Sequence, residues 1–196
     1  MVVAVGVFTW LVVRQCWLAE DAYIMFRTID NFVHGFGLRW NIGERVQSYT
    51  HPLWMLLVTV VYAVVRDLHL AALALSVATS LAAVLLLAFR VARTPAHAVV
   101  AISLLTLSRS VIEFSTGGFE NCLTHLLVVS FAWFYLLRDS GCRTLAWIAG
   151  LLAFNRLDTV LIALSALLEV SYQLVRTKGW IVVGRELAIG LSPLMT

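Results

Sequence analysis

The sequence predicts an all-α, polytopic transmembrane helical bundle of about six to seven spans, with juxtamembrane helices in its first external loop. Three observations predict it. Of 196 residues, 61% are hydrophobic and 13% charged, against about 45–50% and about 25% in a soluble domain. The apolar residues fall in runs of helical length, separated by short charged breaks. Proline occurs 3 times and glycine 11 times, so little interrupts long helices. The same numbers exclude a soluble globular domain, a disordered chain, a coiled coil and collagen. A net charge of +3 without a Lys/Arg run gives no electrostatic footprint for nucleic acid. The 3 cysteines, Cys16, Cys122 and Cys142, have neither metal-type spacing nor partners for a disulfide framework. They read as packed or lipid-facing thiols.

The elements follow in order. The first apolar run, between Met1 and Arg14, has 12 residues, short of the roughly 17–25 a spanning helix needs. It lacks the basic leader and small-residue cleavage site of a signal peptide. Residues 21–34 place Ala22, Tyr23, Met25, Phe26, Ile29, Phe32 and Val33 at spacings of 3 and 4, with Arg27, Asp30, Asn31 and His34 opposite. That is an amphipathic surface helix, opened by Asp21 and closed by Gly35 and Gly37. Asn41, Ile42 and Gly43 supply turn chemistry. Residues 70–89 form the clearest span, twenty residues without a charge. Pro95 opens a second span at 96–114. Further spans are expected at 122–137, 144–155 (short) and 159–175. A last one starts near Ile181, is interrupted by Arg185 and Glu186, and continues to the end.

Residues 51–65 are apolar but only 15 long before Arg66 and Asp67. If they span, Arg90 and Arg93 face the opposite side from Arg138, Arg143, Arg176 and Lys178. If they lie in the interface or re-enter, all these basic residues share one side. The positive-inside rule favours the second arrangement, with a cytoplasmic N-terminus. The external face then receives loop 19–69, the turn 115–120 and the corner 155–158. Trp10, Trp17, Trp40, Trp54, Tyr23 and Tyr49 read mostly as interfacial belt residues.

Ionisable groups near that face are the candidates for chemistry, because polar groups at membrane depth are costly. Glu20 and Asp21 form an acidic pair that could act as general base or hold a cation; the structural alternative is capping of the surface helix. Glu120 follows Ser115-Thr116-Gly117-Gly118-Phe119, and its structural alternative is helix-dipole stabilisation. Arg109 and Glu113 read as a helical pair. Arg156 and Asp158 read either as a corner pair or as an arginine aimed at a phosphate. Glu169 reads as a partner of Gln173.

These residues carry a resemblance. The runs Ala19-Glu20-Asp21-Ala22-Tyr23-Ile24, Phe26-Arg27, His34-Gly35-Phe36-Gly37-Leu38-Arg39-Trp40-Asn41, Gly43-Glu44-Arg45-Val46 and Tyr49-Thr50-His51-Pro52-Leu53-Trp54 resemble the first external loop of GT-C-fold membrane glycosyltransferases. They are most similar to actinobacterial arabinofuranosyltransferase-like proteins; protein O-mannosyltransferases and aminoarabinose transferases are more distant. Residues 115–120 resemble that family's S-T-x-G-L-E turn, and Asn155-Arg156-Leu157-Asp158 its T-R-P-D/E corner, here without the proline.

The resemblance implies a polyprenyl-phosphate-linked sugar donor, arabinofuranose or mannose, and a glycan, lipid or protein acceptor of the cell envelope. Transfer would be inverting, on the extracytoplasmic face of the plasma membrane. Asp21 would be the catalytic base, with Glu20 where relatives carry a second aspartate. Arg27, Tyr49, His51, Glu120, Arg156 and Asp158 would contact substrate. The resemblance fixes no cofactor, and a divalent cation near Glu20 and Asp21 is left open. Residues 1–196 would be one N-terminal transmembrane module, the family's C-terminal part lying outside it. Two other classes stand beside this reading. A transporter half-module would place ionisable groups near the midplane, whereas 70–89 and 122–137 carry only His125 and hydroxyls there. An inactive fragment or structural membrane subunit is the third.

Overall fold

In the computed structural model, which describes residues 1–44, 46, 48–136 and 141–194, the chain is helical, with no strand among the described residues. Ten helices follow in order: α1 Val2–Arg14, α2 Ala22–Val33, α3 Pro52–Val65, α4 Leu68–Leu86, α5 Pro95–Leu107, α6 Arg109–Phe114, α7 Asn121–Leu136, α8 Cys142–Asn155, α9 Val160–Lys178 and α10 Trp180–Gly190. A π-turn, Leu87–Val91, extends α4, and a 3-10 turn, Leu157–Thr159, leads into α9.

Local chemistry sets most boundaries. The Asp67 carboxylate accepts from Leu70 N at 2.9 Å and starts α4, and Thr94 Oγ1 accepts from His97 N at 3.2 Å ahead of Pro95; both satisfy amides a helix start leaves orphaned. Gly35 (φ 85°) and Gly37 (φ 83°) terminate α2 in the left-handed region, as their positions in the sequence predict. The turn at 41–43 forms as expected, closed by Glu44 N donating to Asn41 O at 3.1 Å.

The main core joins α2, α3, the start of α4, α7, α8 and α9 around Trp54, Ile29 and Leu152. A smaller one joins α1, the end of α4, α5 and α6 around Phe8, Val12 and Ile102. The buried stripe of α4 is small, with Ala71, Ala72, Ser76, Thr79, Ser80 and Ala83. Small residues let helix backbones approach where no hydrophobic drive exists between apolar neighbours. Helix α2 is tied to α3 by Tyr62 Oη donating to Asp30 Oδ1 at 2.6 Å.

Several expectations are corrected. Two segments are long and apolar enough to cross a membrane, Leu68–Val91 (24 residues) and Leu157–Lys178 (22 residues). α1, α3, α5 and α7 are shorter apolar helices; the all-helical architecture agrees with the expectation, and length and composition mark two of the six to seven expected spans. The span expected at 96–114 is broken. Ser108 takes an extended conformation (φ −80°, ψ 106°) and its carbonyl accepts from Ile112 N to start α6. The Ser108 hydroxyl makes no capping hydrogen bond, so the break is carried by the backbone alone. The pair Arg185–Glu186 does not interrupt α10, because Glu186 receives Arg143 Nε and Nη2 at 2.9 Å each. Gly190 completes that contact: a Cβ there would overlap Ala146 Cβ and lie 2.8 Å from the Arg143 carbonyl. Trp54 is not a belt residue; it is fully buried. On α2, Tyr23 and Phe32 are exposed and Thr28 is buried, because the Thr28 hydroxyl lies 2.6 Å from Ser48 Oγ. Arg45, Leu137, Arg138, Asp139, Met195 and Thr196 lie outside the described residues.

The two ends of the bundle differ. Along α7, Glu120 precedes the first turn and Tyr135 closes the last, about 22 Å apart at 1.5 Å per residue. At the Tyr135 end, Arg90 stacks on Trp133 and Tyr135 Oη donates to Glu169 Oε2 at 2.6 Å. The expected partner Gln173 donates to the other oxygen of Glu169 at 3.0 Å. The Glu120 end gathers the acidic candidates.

Candidate functional site

The turn 115–120 is the centre of the site, and its backbone is held from three sides. Ala19 N donates to Gly117 O at 3.0 Å, Trp54 Nε1 to Gly118 O at 2.9 Å, and Ser80 Oγ to Ser115 O at 3.2 Å. Trp17 Nε1 adds a bond of 2.9 Å to Glu113 O, just upstream. Gly118 sits at φ 85°, and a Cβ there would lie 2.8 Å from Ala22 Cβ and 3.0 Å from Leu18 Cδ2. Both the dihedral and the space demand glycine. The turn is thereby pressed against the start of α2, where the acidic pair is.

Glu120 is 1% exposed, which for a carboxylate demands partners. Arg156 Nη1 donates to its Oε1 at 3.1 Å, and Arg156 Nε donates to Asp158 Oδ1 at 2.8 Å. His51 Nε2 lies 3.1 Å from Glu120 Oε2, an electrostatic approach not aligned as a hydrogen bond, so Oε2 lacks an aligned donor. Asn155 Nδ2 donates to the Glu120 carbonyl at 3.3 Å and to Thr124 Oγ1 at 3.0 Å. Burial pushes the His51 imidazole below its ordinary pKa; Glu120 pulls it back up and Arg156 adds to the depression. The hydrogen bonds from Arg156 to Glu120 and Asp158 raise the guanidinium and keep it charged. About half exposed, Arg156 keeps donors available for an incoming anion.

A cavity of about 330 Å³ adjoins this cluster, lined by Asp21, Ser48, Tyr49, His51 and Phe119 among others. Its volume falls in the range of small-ligand sites. Asp21 precedes α2 but makes no capping hydrogen bond, so the structural alternative for its carboxylate is not realised. The structure thus brings Asp21, Tyr49 and His51 to one cavity, and links His51 through Glu120 to Arg156 and Asp158.

Two expected site residues are not brought in. Glu20 is exposed and does not line the cavity. Arg27 stacks on Trp40 at 4.7 Å and donates to Asn41 Oδ1 at 3.1 Å, holding the loop after α2. Arg109 pairs with Glu113 at 2.6 Å, as its spacing predicts. Sequence reasoning passed over Trp54, Asn155 and His125. Trp54 and Asn155 stand within the runs that carry the resemblance, but no local pattern shows their partners, since their bonds span 64 and 35 positions. His125 had a signal: it is the sole ionisable residue within its apolar run. Among the described residues no three His, Cys, Asp or Glu side chains converge as a metal site.

Comparison with known proteins gives a partial likeness. The chain is 37% identical over 71 residues to a terminal beta-(1->2)-arabinofuranosyltransferase of Corynebacterium glutamicum, covering 36% of the chain and 10% of that relative. It is 40% identical over 60 residues to a protein of the same name from Mycobacterium tuberculosis, covering 30% of the chain and 10% of the relative. The likeness therefore spans a tenth of the length of these curated relatives. No family model and no solved structure matches. The similarity supports an arabinofuranosyltransferase-like relationship over those 60 to 71 residues.

Proposed function

We propose that the chain carries the base-and-phosphate site of an inverting membrane glycosyltransferase of cell-wall biogenesis. It moves a sugar, arabinofuranose in the first instance, from a polyprenyl-phosphate donor to a cell-envelope acceptor on the extracytoplasmic face of the plasma membrane. The observation that carries this reading is the placement of Asp21 and His51 on one cavity, with His51 against the Glu120–Arg156–Asp158 cluster. Asp21 takes the proton of the acceptor hydroxyl as its oxygen attacks the anomeric carbon. The bond from that carbon to the phosphate oxygen breaks on the opposite face, which inverts the centre. Arg156 offsets the charge that collects on the departing lipid phosphate. Tyr49 and His51 line the cavity in which the acceptor sugar would sit.

The test uses membrane vesicles containing the protein, supplied with radiolabelled polyprenyl-phosphate arabinofuranose. Asp21→Asn is expected to lower transfer by about 10²-fold or more, and Glu20→Gln by much less. Undiminished transfer by Asp21→Asn removes the role assigned to Asp21.

A further inference from the structure

A cavity of about 620 Å³ lies at the Tyr135 end of the bundle, with Arg93, Tyr135, Glu169 and Gln173 as its polar wall and Leu145 and Val170 among its apolar ones. Its volume is that of a small-ligand site, and its two charges are unspent. Glu169 accepts from Tyr135 Oη at 2.6 Å on one oxygen and from Gln173 Nε2 at 3.0 Å on the other. Both donors are neutral. Among the described residues no cation pairs with Glu169 and no carboxylate pairs with Arg93. Arg90, nearby in sequence, is taken up by Trp133, 5.3 Å from its ring centroid. Arg93 stands just beyond the membrane-length segment Leu68–Val91, and Glu169 is inside the other such segment, Leu157–Lys178. Nine positions separate Glu169 from Lys178, about 13 Å of helix. A carboxylate without a counter-charge is costly at such a depth in lipid.

We infer that this cavity binds a zwitterionic ethanolamine-phosphate group, its ammonium against Glu169 and its phosphate against Arg93. One free charge of each sign selects for a ligand that carries both: a plain anion would meet Glu169, and a plain cation Arg93. The ammonium is one that still carries N–H bonds. A carboxylate offers about four lone-pair sites, and Glu169 has spent two, on Tyr135 and Gln173. A quaternary ammonium would need an aromatic cage, whereas Tyr135 is the one aromatic side chain of the described lining. The guanidinium fork of Arg93 matches phosphate oxygens. Two sources carry this group, an aminophospholipid and free phosphoethanolamine. Basic pockets between apolar helices suit the first. Glu120 is about 22 Å away along α7, so the site is separate from the reaction proposed above.

The experiment uses the full chain in nanodiscs holding phosphatidylethanolamine, phosphatidylcholine and phosphatidylglycerol in equal amounts, with the lipids that stay on the released protein counted by native mass spectrometry. Free phosphoethanolamine titrated into discs of phosphatidylcholine alone is the water-soluble arm. Wild type is expected to retain the ethanolamine lipid about tenfold over each of the others. Glu169→Gln should remove the preference for ethanolamine over choline. Arg93→Gln should lower retention of the ethanolamine lipid about tenfold, and Arg93→Lys should restore part of that loss.

Binding of free phosphoethanolamine with the same dependence on both residues upholds the site and assigns its ligand to the aqueous phase. Equal retention of the three lipids together with no binding of free phosphoethanolamine overturns it. So does a preference for ethanolamine that survives Glu169→Gln, or tighter retention of phosphatidylglycerol than of the ethanolamine lipid by wild type. Should Glu169→Gln not fold, the two Arg93 variants decide alone, since Arg93 is exposed and its replacement breaks no ion pair of the described residues.

Discussion

Gly118→Ala tests whether the turn 115–120 is held as tightly as its surroundings require. The backbone there has φ 85°, which costs an L-residue about 1–2 kcal/mol. The added methyl would also meet Ala22 Cβ at 2.8 Å and Leu18 Cδ2 at 3.0 Å, and such overpacking costs about 1–3 kcal/mol. Together the loss is about 2–5 kcal/mol. At roughly 2–4 °C per kcal/mol for a chain of this size, the unfolding midpoint should fall by about 4–20 °C. The assay is thermal unfolding in detergent followed by tryptophan fluorescence, since Trp17 and Trp54 both bond to this stretch of backbone. Gly43→Ala is the control: its Cβ would meet nothing within 4 Å, and its midpoint should stay within about 0.5 kcal/mol of wild type. The double variant Ala22→Gly with Gly118→Ala should regain part of the loss, because it removes the closer overlap and leaves the dihedral strain. Unfolding of Gly118→Ala at the wild-type temperature would refute the reasoning.

Other consequences are as direct. Trp54→Phe leaves the Gly118 carbonyl without its buried donor and should cost about 1–3 kcal/mol in the same assay. Glu120→Leu removes a buried carboxylate, while Arg156, about half exposed, keeps Asp158; no charge is left buried without a partner, which is what makes breaking a buried pair costly, so stability should change little, yet transfer should fall at least about tenfold as the arginine is repositioned. A large stability loss with full activity would contradict that. The folded His51 titrates below its ordinary value of about 6.5, so unfolding takes up a proton in the window just below it. That contribution to stability is complete above about pH 6.5 and is lost as pH falls through the folded value. His51→Gln should flatten this part of the pH–stability curve. Arg109→Ala, which removes a surface pair with the arginine well exposed, should leave the midpoint nearly unchanged at any salt concentration.

The positions of the charged candidates were legible because charge is scarce in this chain and most charged breaks sit at helix ends, the pair Arg185–Glu186 inside α10 being an exception. Asp21, Glu120, Arg156 and Asp158 could be picked out on that ground. Their mutual contacts could not. Glu120 is fixed by Arg156, 36 positions away, and by His51, 69 positions upstream, and no local pattern encodes either. Helix faces were equally opaque where both environments are apolar. Trp54 in the core and Trp10 on the surface occupy similar sequence contexts, because lipid and protein interior ask for the same side chains. The break at Ser108 was missed for a related reason: one serine inside an apolar run leaves the periodicity intact. Arg27 was drawn into the site by its neighbours in sequence, whereas its guanidinium is used by Trp40 and Asn41 to shape the loop.

The segment Leu157–Lys178 begins one residue after Arg156, and 11% of its apolar window is buried inside the protein. Its 22 residues measure about 33 Å along the axis, close to the roughly 30 Å of a bilayer's hydrocarbon. Arg176 and Lys178 fix its far end. A segment of that length, where it crosses a bilayer, would act as a ruler for the depth of the Arg156 corner. A thicker bilayer would draw that guanidinium toward the acyl chains, and a thinner one would lift it clear of the headgroups or tilt the helix. On the proposed reading, lipid chain length would then control how well the corner meets a phosphate at the interface, with no residue of the site altered.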